Sequence, residues 1–589
     1  MMTSIKAHWR LTMMAGLFGL SLLLFHGLVE TPRGASFDYN LSWFEAFRTA
    51  FWQGDLYPRH TTELWYGHGG LDFYFYGPLP FWFASIVGEI GCPGCGTSQA
   101  FSIAAAWMLI LSGISFFIFA RRFFAPAWAG FGAMLYVVLP FHYLINWYIG
   151  QTIGAIMALA ILPILALAIC QMVEDRKGGP LFAFSFAALA LSHLPSTMII
   201  SHLILVLAVW TALTKYRERR EQFALLFRFL PWTMLGIALS AFYWMPAIGL
   251  LSSVSADMLY SDYYDSTRWL LLDGVPENDP FKTQKFKLVL ILVVVSAIAA
   301  SLVLKTRRTP SMLLLWILVP SAFAAFAMTF VSYPMWKFWI INKVQFPDRA
   351  LVVTDLSIAL AAIVLIKYAL SHAWRASSLL IKVALGATGF AFVAAFALPL
   401  GQSHQIIQES RADASPYLPV APLEYIPPTF KQRALERFRT RDLDGVANAD
   451  RFYFFFDEVE AGFQNAQAAF EQDAPNATLQ AEIHDRFTLQ LPGSTAREIR
   501  LPVPYWPHWR AYGQDGRPLS ISEDPDLGII QLSAPAGVSE ITLELIETRP
   551  QKIGSSLSLG ALFIFLVWLM APRAMRLGPF AKPLETSLP

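Results

Sequence analysis

The chain has 589 residues, of which 55% are hydrophobic and only 15% charged, and its mean hydropathy is +0.46. A soluble domain carries about 25% charged residues, so this composition excludes an ordinary soluble enzyme and points to a polytopic α-helical membrane protein. The formal net charge of +2, with no basic tract, gives no indication of nucleic acid as a partner, and none is expected.

The first apolar run, residues 11–29, follows Lys6 and Arg10 and has no small-residue cleavage site after it. It therefore reads as a retained helix and not as a removed signal peptide. A span needs about 20 apolar residues. Further spans are expected near 99–120, 124–143, 151–172, 180–196, 198–213, 228–250, 285–304, 311–331, 350–369, 378–400 and 554–571, about twelve in all. The run LPFWFASIVGEI (79–90) is too short to cross and suits an interfacial or re-entrant helix.

Positive charge tests this count, because one extra span would invert every later loop. With a cytoplasmic N-terminus, the inner segments are MMTSIKAHWR, Arg121–Arg122, EDRKGG, TKYRERREQ, KTRRTP, KYALSHAWR and PRAMRLGPFAK, and each carries at least two Lys or Arg. The expected architecture is a transmembrane module over 1–400, an extramembrane domain over 401–553, and a last helix with a cytoplasmic tail over 554–589. The outer face would hold a long first loop (30–98), two shorter loops (251–284 and 332–349) and the 401–553 domain. That domain contains FTLQL, GIIQLSA and SEITLELIE, with DG at 515–516 and PAG at 535–537. Period-two alternation between turn residues predicts antiparallel strands and a small β-sandwich. Its start, 401–450, is polar and proline-containing and reads as partly irregular.

The spans are nearly empty of charge, which argues against an ion or proton pathway. Asp355 is the carboxylate that falls well inside a span; Arg349 is six positions away, so a partner on another helix is expected. His193 and His202 flank a break at Leu194–Pro195, where proline disfavours helix. The first outer loop gathers Asp38, Glu45, Asp55, Arg59, His60, Glu63, His68 and Asp72 among WYG, FYFYG and FW. Aromatic rings anchor at headgroup level, so the loop should lie on the membrane and hold its carboxylates there. One base within hydrogen-bond reach suffices to activate a hydroxyl. A sugar leaving from a phosphate needs no acid, since phosphate is already an anion near neutral pH.

Asp38, followed by GDLYPR (54–59), YG (66–67) and FYFYGPLP (73–80), resembles the first-loop pattern of the C-type glycosyltransferase superfamily. The similarity extends to its 6-pyruvoyl-tetrahydropterin synthase-related branch through SHLPS (192–196), QFPDR (345–349), EYIP (424–427) and LPVPYWPHWRAYGQDGRPL (501–519). The resemblance implies transfer of a sugar from a polyprenyl-phosphate donor to a glycan, lipid or protein acceptor on the outer face, with inversion. It implies Asp38 as base, Arg349 on the donor phosphate and His193 lining the site. Three positions depart from the pattern: Ser42 where the branch often has His, His60 where Trp commonly follows YPR, and YIGQTIG (148–154), which lacks a charged pair.

Each candidate also has a plainer reading. Asp38 could cap a helix, Asp72 and Asp55 could be turn residues, and Arg59 could snorkel. Asp72 is the reserve for a second acid, and Arg59 could instead hold phosphate bidentately. Lys343 and Arg349 would anchor headgroups if not the donor, and His193 could be a core histidine. Tyr263, Tyr264 and Arg268 in SDYYDSTRW could complete the donor site. Cys92 and Cys95, on the outer side, read first as a local disulfide. Zinc would need two more ligands, so a divalent metal has no supporting motif. NAT at 476–478 matches a glycosylation sequon that carries no meaning in a bacterial chain.

The expected setting is a bacterial inner membrane, with both termini cytoplasmic and the 401–553 domain periplasmic. A transporter of lipid-linked sugar and a non-catalytic envelope scaffold stay open as alternatives to the transferase.

Overall fold

The computed structural model describes residues 34–570 apart from 35, 140, 257–264, 273–279, 307–310, 339–340, 374–424, 441–447, 483–484 and 494. The expected spans at 11–29 and 378–400, both terminal segments, Tyr263 and Tyr264 lie outside the described residues.

Helix α1, Phe37–Trp52, buries Phe37, Leu41, Phe44 and Phe47, an apolar stripe at three- and four-residue spacing. The stripe packs on α2, Leu79–Gly91, and α3, Thr97–Ala120. At 1.5 Å per residue α2 is roughly 20 Å long, short of the hydrocarbon thickness of about 30 Å. Proline stands at the first or second position of α2, of α4 (Pro126–Val138), of α6 (Gly179–Ser192) and of α7 (Leu194–Lys215). There its missing N–H costs nothing and its fixed φ suits the first turn. Helix α5, Ile153–Glu174, packs between α3 and α6. Helices α8, Arg219–Leu239, and α9, Ala241–Leu250, follow.

A second group holds α10 (Pro280–Thr306), α11 (Met312–Met328) and α12 (Thr354–Ala373). It is fastened by a hydroxyl chain. Ser296 and Ser321 are 2.8 Å apart, Ser321 donates to Ser357 at 2.9 Å, and Ser357 donates to the Ile317 carbonyl. Such bonds matter where lipid is as apolar as the helix surface and burial alone does not hold helices together. Seven described helical stretches are long and apolar enough to cross a membrane, and α6, α10 and α11 contribute shorter apolar ones.

Three expected boundaries change. The span read as 228–250 is the second half of α8 and the whole of α9, which part at Ser240. The span read as 124–143 is α4 followed by a nine-residue π-helix, Phe141–Ile149. Pro140 disfavours helix at Leu139, whose ψ of 142° is extended. The Gly150 amide then donates to the Ile145 carbonyl at 2.7 Å, the five-residue spacing of a π turn, and the Asn146 side-chain Nδ2 donates to the Phe141 carbonyl at 2.6 Å. The 180–196/198–213 hairpin breaks at His193 itself, which is extended (φ −158°, ψ 101°).

The 401–553 region contains two described helices, α13 (Pro428–Thr440) and α14 (Asn448–Asp473), ahead of the strands. Strands β1 (Thr478–Glu482), β2 (Arg486–Gln490), β8 (Glu540–Leu545), β4 (Trp509–Gly513) and β5 (Pro518–Leu519) form one antiparallel sheet in that spatial order. Strands β3 (Arg497–Pro504), β7 (Ile529–Ala534) and β6 (Ile521–Glu523) form the other. Inward residues such as Leu489, Ile499, Leu532, Ile541 and Leu543 fill the space between them. Helix α14 is pinned to β3 by Arg500, which donates to Asp473 at 2.7 and 2.9 Å. The final helix α15, Arg549–Met570, packs on α8 and α9.

The bundle has chemically distinct ends. At the Glu174 end, Arg122 pairs with Glu174 (2.6 Å) and Asp175 (2.9 Å), and Lys215 and Arg228 donate to the Val173 and Met172 carbonyls. These cations suit the carbonyl end of α5. The Ile153 end, about 33 Å away along α5, carries the candidate site.

Candidate active site

Asp38 lies in the first turn of α1 and is half-buried. A carboxylate is favoured there by the unpaired N–H groups of the helix start. Two contacts fix this turn against the exit of the π-helix. Asn40 Nδ2 donates to the Gln151 carbonyl at 2.8 Å. A Cβ on Gly34 would come within 2.8 Å of the Ile149 carbonyl oxygen, so only glycine allows that approach. The strand of chain they hold is bent sharply. Gln151 has φ 53° and is buried, while Thr152 donates from its backbone to the Asn146 carbonyl (2.8 Å) and from its hydroxyl to Asn146 Oδ1 (2.6 Å). Positive φ in a non-glycine residue and a π turn are both costly local choices that concentrate at functional sites.

Three residues on, α5 begins against His193: a Cβ on Gly154 would meet His193 Cδ2 at 3.2 Å. His193 caps α7, its Nδ1 accepting from the Ser196 amide (3.4 Å) and lying 2.7 Å from the Ser196 hydroxyl. A ring nitrogen that accepts has no hydrogen, so the neutral ring carries its proton on Nε2. Burial, and then the neighbouring Arg349 guanidinium, push the imidazole down to about 3. His193 is therefore neutral at ordinary pH, with one N–H to donate.

Arg349 belongs to a cluster of turns that packs on α7. Its Nη1 donates to the Val344 carbonyl at 2.9 Å and its guanidinium lies 5.4 Å from the Phe346 ring centre. Phe346 meets Trp269 at 5.5 Å, and Lys337 lies 3.8 Å from Asp265, which joins the 265–271 segment to the 333–353 turns. Half-buried Lys343, whose ammonium burial pushes down, and exposed Arg268 sit on these same turns. The structure thus sets Arg349 beside His193, and it joins the first turn of α1, which carries Asp38, to the chain leading to His193 through Asn40, Gly34 and Gly154. A guanidinium beside a neutral N–H donor is a pair that can hold a phosphate.

Two candidates go elsewhere. Asp72 is 0% exposed inside the aromatic core, its Oδ1 accepting from Trp43 Nε1 at 2.9 Å. Arg59 donates to the Phe242 carbonyl at 3.2 Å and lies 4.2 Å from the Tyr57 ring centre and 5.9 Å from that of Tyr74. It belongs to the seam between the first loop and the β domain. At that seam His60 is buried among Phe487, Trp506 and Trp509, with Nδ1 3.6 Å from Asp485. Burial, with Asp55 alongside, lifts the Asp485 carboxyl to about 7 despite the pull of Arg59. Sequence reasoning missed Asp485; its one signal was an acid in the turn between two alternating segments. Asp355 is buried in the first turn of α12 and faces the backbone amide of His142. The expected partner on another element is therefore a main-chain group freed by the α4 break. Cys92 and Cys95 are disulfide-bonded. Among the described residues no cluster of His, Cys, Asp and Glu is arranged to hold a metal ion.

No protein-family model matches the chain, and no curated protein matches it. Among solved structures, the Archaeoglobus fulgidus oligosaccharyltransferase tethered to an acceptor peptide is 13% identical over 77% of this chain and 59% of its own, with a TM-score of 0.41. The mycobacterial arabinofuranosyltransferase AftD is 15% identical over 73% of this chain and 28% of its own, with a TM-score of 0.38. ArnT from Cupriavidus metallidurans bound to undecaprenyl phosphate is 12% identical over 63% of this chain and 81% of its own, at 0.28. The chain spans 59–60% of the first three oligosaccharyltransferase chains it matches. Similarity at this level transfers no activity, substrate or partner to this chain.

Proposed function

We propose that this protein is an integral-membrane glycosyltransferase that moves a sugar from a polyprenyl-phosphate donor to an acceptor of the cell envelope. One observation carries the reading: the first turn of α1 that bears Asp38, the bent 149–154 segment, His193 and Arg349, distant in sequence, follow one another in contact at one end of the bundle, through Asn40, Gly34 and Gly154. In this reading the acceptor O–H gives its proton to Asp38 as its oxygen bonds to the sugar C1. The C1–O bond to phosphate breaks, and polyprenyl phosphate leaves as an anion held by Arg349, Lys343 and the His193 Nε2–H. Attack from the face opposite the phosphate inverts the anomeric centre. Asp72 and Arg59 support the loop that carries Asp38. Arg268 would border the donor. The basic end at Arg122, Lys215 and Arg228 supports a cytoplasmic assignment for that end and a periplasmic one for the site. Membership of the 6-pyruvoyl-tetrahydropterin synthase-related branch rests on motif order alone.

The test is product formation by the full chain in vesicles supplied with lipid-linked sugar. Loss of a general base costs about 10²–10⁴-fold, so Asp38→Asn should lose that much transfer while keeping its affinity for polyprenyl phosphate. Undiminished transfer by this variant overturns the base assignment. Movement of lipid-linked sugar across the vesicle with no covalent product favours a transporter instead.

A further inference from the structure

The face of α1 that carries Asp38 continues past the site. At 100° per residue, Glu45, Thr49 and Trp52 fall within about 40° of Asp38, and the rise places them roughly 10 to 21 Å further along the axis. There they meet two other elements. Glu45, Arg48, Thr49 and Trp52 surround a groove of about 590 Å³ together with Glu89, near the end of α2, and Thr97, the first residue of α3. Arg48 hydrogen-bonds Glu89, and Glu45 hydrogen-bonds Thr97. The Cys92–Cys95 disulfide closes a small loop within the connection between α2 and α3. The Trp52 side chain is left 54% exposed, whereas α1 buries Phe37, Trp43, Phe44 and Phe47 and half-buries Tyr39 and Phe51.

A large exposed indole supplies a flat apolar platform, and the groups around it supply directional hydrogen bonds in both senses. Sites that take small polyols combine these two features: one aromatic face and a few placed polar groups. Charge narrows the class. Two carboxylates face one guanidinium, and that guanidinium is already engaged by Glu89. An anionic ligand such as a phosphate headgroup would gain no free cation here and would meet Glu45. A neutral saccharide meets no such penalty, and its hydroxyls can donate to the carboxylates and to the Thr97 oxygen and accept from Thr49.

We propose that this groove is a binding subsite for a neutral glycan, which as acceptor would lie along α1 with its reacting hydroxyl at the Asp38 end. The acceptor role rests on the transferase reading; the saccharide site itself does not. The test is saturation-transfer NMR on the detergent-solubilised full chain with mannotriose, maltotriose and cellotriose as probes. Wild type and Asp38→Asn should bind at least one of them equally. Trp52→Ala should weaken that binding at least tenfold, and Trp52→Phe should restore most of it. Because Trp52 is exposed, its replacement should leave the thermal midpoint unchanged. Absence of binding to all three by wild type up to about 10 mM, or wild-type affinity in Trp52→Ala, overturns the proposal. If Asp38→Asn retains transfer while Trp52→Ala loses the saccharide, the transferase base assignment fails and the groove stands as a glycan site.

Discussion

Capping α7 with Nδ1 commits His193 to a single tautomer, and this gives the residue two separable tasks. One is structural: the side chain satisfies the Ser196 amide at the helix start. The other is the Nε2–H donor beside Arg349. Asparagine caps helices well but would not present a donor at the same reach. His193→Asn should therefore hold its thermal midpoint near wild type while losing affinity for polyprenyl phosphate. His193→Ala should lose both, with about 1 kcal/mol of stability gone with the cap. Equal lipid binding by all three chains would reduce His193 to a cap. The residue scale also shows what a motif conveys. SHLPS marked His193, and its proline explained the break, but the guanidinium that faces it lies 156 positions later in QFPDR. Order along the chain carries no distance, so Arg59 and Arg349 read alike in sequence and differ entirely in surroundings.

Elements were legible in proportion to how uniform their composition was. The expected spans at 99–120, 151–172 and 285–304 fall within a few residues of α3, α5 and α10, because long apolar runs in lipid have few alternatives to helix. FTLQL, GIIQLSA and SEITLELIE likewise coincide with β2, β7 and β8, and the DG and PAG turns fall at Gly516 and Gly537, both with positive φ. The π-helix was not legible, since FHYLINWYI is as apolar as a span and the side-chain bonds of Asn146 and Thr152 that brace its exit show only in the folded chain. Nor was α14, whose aromatic run RFYFFF lies in a region read as a mainly β domain. The π exit is where α1 docks, through Gly34. Adding a Cβ there forces α1 away from the Ile149 carbonyl, and overpacking of this kind costs typically 1–3 kcal/mol. Gly34→Ala should accordingly cut transfer without altering lipid affinity, because Arg349 and His193 lie on other elements. A variant with normal transfer would show that the position of α1 is not critical to the reaction.

At the scale of the molecule, the β domain holds the first loop. His68 Nδ1 lies 2.6 Å from the Pro502 carbonyl and its ring stacks on Phe463 at 4.6 Å, while Tyr74 donates to Gln551 on α15 at 3.2 Å. None of this could be read from composition, since each contact joins residues hundreds of positions apart. The same seam contains the carboxyl of Asp485, whose side chain is 22% exposed, with Asp55, Arg59 and His60 around it. Its folded value of about 7 lies above the ordinary carboxyl value of about 3.9. Between these two the folded chain holds more protons than the unfolded one, so stability from this group is present at low pH and is lost as pH rises through about 7. His60, pushed down to about 3 by burial, works in the opposite direction below about 6.5, but it is common to both chains in a comparison. Asp485→Asn keeps the shape and removes only the carboxyl. The variant should therefore match wild type near pH 4 and become progressively more heat-stable than it up to about pH 7, with a constant margin beyond. If Asp485 were instead ionised against a protonated His60, the variant would be the less stable chain at pH 6, so the sign of the difference decides which charge state joins the first loop to the β domain.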